Sequence, residues 1–102
     1  RKALDLLPAQ CRAGRALIEW TVEDLAKASD VPAAAIVDFE TGRAPVEPAA
    51  LEAMATALEH GGVRLIPENG GGAGVRLKFT RSEVARIATL ETEGGIIAED
   101  DV

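Results

Sequence analysis

The sequence predicts a mainly α protein, a bundle of four short helices followed by a β-hairpin and a C-terminal amphipathic helix. Three observations lead there. Pro8, Pro32 and Pro48 each open an apolar stretch, while Gly42 and Gly61–Gly62 close two of them, the asymmetry expected of helix starts and stops. Apolar side chains recur at helical spacing up to residue 60 and then alternate with basic ones over 63–65 and 75–79. With 102 residues and 47% hydrophobic content, the chain is long enough to bury a modest core.

The first helix starts at Pro8, and its apolar positions are Cys11, Gly14, Leu17 and Ile18. Thr21 caps the second helix, with Asp24 three residues on as a short capping box. That helix runs over 22–28 and turns Val22, Leu25 and Ala26 inward. A turn at Ser29–Asp30 leads to Val31, and Pro32 opens a third helix with Ala35, Ile36 and Phe39 as its apolar face. Prolines then hold "RAPVEP" extended, because the residue before a proline is pushed out of the helical region. Pro48 starts a fourth helix along Leu51, Met54, Ala55 and Leu58.

Beyond Gly62 the period changes. "GVRLIPENGGGAGVRLKF" reads as strand, glycine-rich turn and strand, with Val63, Leu65, Val75, Leu77 and Phe79 on one face. A lone hairpin is marginal in water, so it packs on the bundle or pairs with a second copy of itself. Thr80 and Glu83 box the start of a last helix striped by Val84, Ile87 and Ala88, and "IIAEDDV" forms an acidic tail. Two units follow: residues 1–62, a helical domain, and 63–102, a hairpin-plus-helix appendage. The surplus apolar faces of that appendage predict a homodimer through Val63, Leu65, Val75, Leu77, Phe79, Val84 and Ile87.

Charge narrows the function. The net charge is −6, shared as −4 over residues 1–60 and −2 over 61–102, so the broad basic footprint of a nucleic-acid binder is missing. Only the docking face of such a protein has to be positive. Trp20, Phe39 and Phe79 are the only aromatics, too few for a base-stacking single-strand binder. Cys11, the single cysteine, forms no internal disulfide and reads as a buried structural thiol. One His and one Cys build no common metal site. With neither a membrane-length apolar run nor a secretory leader, a cytoplasmic setting is expected. "ENGGGAG" lacks the Lys-Ser/Thr pair of a phosphate loop and is a hairpin turn. His60 closes a helix on the surface, no catalytic constellation is present, and no cofactor is expected.

The informative feature is helix, tight turn, helix over residues 21–41. Here the stretch "RAGRALIEWTVEDLAKASDVPAAAIVDFETGRAPVEPAALEAMATALE" resembles the lambda-repressor-like (Cro/cI, XRE-type) helix-turn-helix regulators. "LAKASDV" matches Leu-Ala-x-x-x-x-Val, "IVDFETG" matches Ile-x-x-x-Glu-x-Gly, and "LEAMATAL" matches the closing helix. The resemblance covers roughly residues 8–66. It implies an internal ion pair between Arg15 and Glu40. It also implies DNA contacts from Thr21 and Val22 at the start of the second helix, from Ala33, Ala34, Val37 and Asp38 on the third, and from Thr41 and Arg43 after it. Lys27, Arg43 and Arg12 are the few cations available to that face.

The reading positions depart from the family pattern. Val22 stands where Gln is common, and Pro32 where Ser or Thr usually caps. Ala33, Ala34 and Val37 offer methyl groups suited to thymine, and Asp38 an acceptor for a cytosine amino group. None makes the bidentate contact of an Arg or Gln. Two functions are therefore expected in competition. One is a small transcriptional regulator that binds duplex DNA as a homodimer. The other is a protein-interaction adaptor or antagonist that meets a protein partner through the third helix.

Overall fold

The computed structural model describes residues 6–78. Over that range the order is α1 (Pro8–Leu17), α2 (Val22–Ser29), α3 (Ala33–Glu40), α4 (Pro48–His60), β1 (Val63–Ile66) and β2 (Gly74–Leu77). The last helix, its stripe Val84 and Ile87, the hairpin's Phe79 and the acidic tail lie outside the described residues.

The helices surround one core whose largest fully buried side chains are Cys11, Leu25, Ile36, Met54, Leu58 and Val63. Each helix contributes one apolar stripe, as the 3.6-residue period requires. In α1 the buried stripe is Gln10, Cys11 and Gly14. Leu17, expected inside, is instead 40% exposed. The helix ends there, and Ile18 takes over the inward position beside Gly61 and Gly62.

Two helix ends are turned by acidic residues in the left-handed region. Glu19 (φ 57°) reverses the chain after α1, and Asp30 (φ 62°) does so after α2. Glycine is the residue that adopts this conformation without steric cost. Trp20 then donates its backbone N–H to the Arg15 carbonyl at 2.8 Å. Its ring packs on Gly61, where a Cβ would meet ring atoms at 2.8 and 2.9 Å and the Ile18 Cδ1 at 2.9 Å. A Cβ at that position would force the Trp20 ring and the end of Ile18 to shift.

The hairpin is antiparallel, with Val63 opposite Leu77, Arg64 opposite Arg76, Leu65 opposite Val75 and Ile66 opposite Gly74. Its apolar face closes the bundle. Val63 is wholly buried and Leu65 nearly so, in the same cluster as Met54 and Leu58. The hairpin therefore packs on the helices through these two side chains. Val63 and Leu65, expected at a dimer seam, face this chain's own helices because a two-stranded ribbon needs that surface to cover it. Val75 and Leu77 are half-buried.

Gln10 ties α1 to the hairpin. Its buried amide donates to the carbonyls of Ile66 (3.2 Å) and Gly74 (3.0 Å), while its Oε1 accepts from the Leu7 N–H at 2.9 Å. Both amide protons and one lone pair of the oxygen are thereby used, so every polar atom of the buried amide has a partner.

Candidate nucleic-acid interface

The turn between α2 and α3 is built from local bonds. The Thr21 hydroxyl accepts from the Asp24 N–H at 3.0 Å, and the Asp24 carboxylate accepts from the Thr21 N–H at 2.9 Å, so α2 opens with a reciprocal capping box. At its other end the buried Ser29 hydroxyl donates to the Leu25 carbonyl (2.7 Å) and accepts from the Val31 N–H (3.3 Å). Asp30 completes the reversal by donating its N–H to Ala26. Val31 is buried, and α3 starts one residue later than the sequence indicates. Pro32 is its N-cap (ψ 139°), and it has no side chain to cap with. The α2 helix likewise extends one residue further, to Ser29.

The far end of α3 is clamped onto α1. Arg15 grips Glu40 bidentately, Nε to Oε2 at 2.8 Å and Nη2 to Oε1 at 2.6 Å, with Glu40 almost fully buried. The Cys11 thiol donates to the same Oε2 at 3.0 Å. Arg12 donates to the Glu40 carbonyl, and Arg15 also reaches the Trp20 carbonyl at 3.0 Å. Burial by itself would raise the Glu40 carboxyl. The hydrogen bonds from Arg15 and Cys11, then the charges of Arg15 and Arg12, outweigh it and hold the group below the usual carboxylate range. The Cys11 thiol is pushed strongly up, first by burial and then by its bond to Glu40. It is a structural donor and not a nucleophile.

This clamp fixes which side of α3 faces out. Ile36, Phe39 and Glu40 point inward, whereas Ala34 and Val37 are exposed, Val37 by 42%. Ala33 and Asp38 are half-buried. Thr41 is exposed and its hydroxyl donates to the Val37 carbonyl at 2.8 Å, closing the helix. Exposed Arg43 donates its N–H to the Asp38 carbonyl at 2.8 Å, and its guanidinium stands 3.9 Å from the Asp38 carboxylate. At that distance and exposure the ion pair is weak, so Arg43 remains available to a phosphate. On α2, Thr21 and Lys27 are exposed, while Val22 is half-buried against the core.

The structure therefore gathers Thr21, Lys27, Ala34, Val37, Thr41 and Arg43 on the surface of one helix–turn–helix unit. It draws Val22 and, in part, Ala33 and Asp38 into the packing. Sequence reasoning missed Gln10 and Ser29, two polar side chains whose only signal was their place on otherwise apolar stripes. The exposed and half-buried charges of the unit are two cations, Lys27 and Arg43, against four carboxylates, Glu23, Asp24, Asp30 and Asp38. Among the described residues no group of three or more His, Cys, Asp or Glu is placed to hold a metal. No helix there is long and apolar enough to cross a membrane.

A search of curated proteins finds no significant relative of the chain. A family model described as a helix-turn-helix domain matches residues 9–65, which takes in the four helices apart from Pro8 and most of β1. That domain is characteristic of DNA-binding regulators. With more than half of its length matched, the chain belongs to the helix-turn-helix domain family.

Proposed function

We propose that the chain is a transcriptional regulator that lays α3 in the major groove of duplex DNA and acts as a homodimer. The observation that supports this most is the α2–turn–α3 unit held by the Glu40 clamp, with Ala34 and Val37 outward and Arg43 beside them. Ala34 and Val37 contact thymine methyls, and Lys27 and Arg43 contact phosphates. Such a face reads few bases, so affinity depends on pairing two copies about one helical turn apart. Val75, Leu77, Phe79, Val84 and Ile87 provide the seam, since Val63 and Leu65 are already used inside.

Binding to a random duplex pool, measured by anisotropy across salt concentrations, tests this. Arg43→Ala should weaken binding and lower the slope of log K against log salt by about 1. No salt-sensitive binding at low ionic strength would refute the proposal.

A second reading has its own support. The helix–turn–helix surface carries more carboxylates than cations and presents exposed Val37 with no bidentate donor, which suits a protein partner. Val37→Arg separates the two readings. It strengthens attraction to duplex DNA, whereas on a protein-binding face it abolishes capture.

A further inference from the structure

The outer face of the hairpin is a cationic surface with no counterpart in the bundle. The register places Arg64 directly opposite Arg76, and the exposed Lys78, one residue past the end of β2 and two beyond Arg76, continues the alternation with its N–H bonded to the Gly62 carbonyl. Like charges directly across a strand pair oppose its formation. Among the described residues no carboxylate lies within ion-pair distance of any of the three. The single side-chain bond of Arg76 recorded there is to the Leu77 carbonyl, at 3.2 Å. In a chain of net charge −6 this concentration of positive charge calls for an anionic occupant.

DNA bound at α3 is poorly placed to be that occupant. Positions 10 and 12 of α1 lie about 200° apart around its axis. Gln10 reaches the hairpin, whereas Arg12 reaches the end of α3. The hairpin and the end of α3 therefore flank α1 on opposite sides.

The chain itself carries the complementary charge. Residues 91–101 hold Glu91, Glu93, Glu99, Asp100 and Asp101 and no basic residue. Twelve residues separate Lys78 from Glu91. They span roughly 18 Å at helical rise and about 40 Å extended, more than the roughly 13 Å length of a four-residue strand. Either way the acidic run reaches the face without leaving its own chain, at the high effective concentration a short connection gives. We propose that the Arg64–Arg76–Lys78 face docks the acidic run 91–101 of the same chain, masking the hairpin from other polyanions.

The test compares the full chain with a full-length variant in which Glu91, Glu93, Glu99, Asp100 and Asp101 become the corresponding amides. Backbone amide NMR is recorded for both at two protein concentrations and at low and about 1 M salt, where charges are screened within about 3 Å. The Arg64, Arg76 and Lys78 amides should shift between the two proteins at low salt, equally at both concentrations, and coincide at high salt. Coincidence at low salt overturns the proposal. A shift that grows with concentration overturns it in favour of a second copy. The proposal also fails if duplex DNA moves these amides together with those of α3 and Arg64→Gln/Arg76→Gln lowers the salt slope as Arg43→Ala does. The face then belongs to nucleic acid.

Discussion

Replacing Arg15 with alanine removes one partner of a bidentate buried pair and leaves the other inside. Glu40 is only 4% exposed, and the two bonds it loses, at 2.8 and 2.6 Å, are its shortest side-chain contacts. Breaking such a pair costs about 3–5 kcal/mol, because an uncompensated charge stays buried. The Arg15 side chain retains 18% exposure and the Cys11 thiol still donates to the carboxylate, so about 3 kcal/mol is expected at neutral pH. With a urea dependence of about 1 kcal/mol per molar for a small domain, the midpoint should fall by about 3 M. Trp20 fluorescence follows the transition, since its ring packs on Gly61.

Acid provides an internal check. Glu40 sits below its ordinary 4.5 when folded, so the pair's contribution is complete above that pH and fades as pH falls through the lower folded value. Without Arg15, burial raises the carboxyl against weaker opposition, and the variant gains stability as its Glu40 takes up a proton. The gap between the two proteins must narrow from pH 7 to pH 4. A loss under about 1 kcal/mol at pH 7, the value of an exposed pair, would refute the reasoning. So would a gap that stays constant with pH.

Three further outcomes follow from particular contacts. Gln10→Leu strands the Ile66 and Gly74 carbonyls it now satisfies and should cost about 2 kcal/mol, with hydrogen exchange rising first at residues 63–66 and 74–77. Glu19→Gly removes a left-handed side chain (φ 57°) and should stabilise the fold by about 1 kcal/mol, read as a higher thermal midpoint. Cys11, raised by burial and by Glu40 from an ordinary 9.0, should remain a thiol up to pH 9 and react with a disulfide reagent only as fast as the chain opens. Its contribution is complete below pH 9.0 and is lost as pH rises further. Rapid native-state labelling at neutral pH would contradict the burial of Cys11.

Most of the helical framework was legible because proline, glycine and the Thr21–Asp24 box are local signals. Pro8 and Pro48 open α1 and α4 where the sequence indicates, and errors at α2 and α3 amount to one residue. What escaped was tertiary. Nothing near Gln10 says that its amide faces two strand carbonyls more than fifty residues away, and nothing near Val63 says whether its apolar face meets its own helices or another chain. The hydrophobic pattern marks a side chain as buried without naming what buries it. The outward set on α3 was legible for Ala34 and Val37, which follow from helical period, and less so for Asp38, which is half-buried.

The polar clamp on Glu40 also determines how α3 answers a load. An apolar contact between helices slides at little cost, but a bidentate pair and a thiol bond on one carboxylate tolerate almost no rotation. In the proposed complex α3 would meet DNA with its orientation already set and lose little freedom on binding, which matters most for a surface of bare methyl groups. Because α1 holds Glu40 on one side and, through Gln10, the hairpin on the other, α1 acts as an axle. The two polar attachments on α1 therefore set the position of α3 and of the hairpin relative to one another.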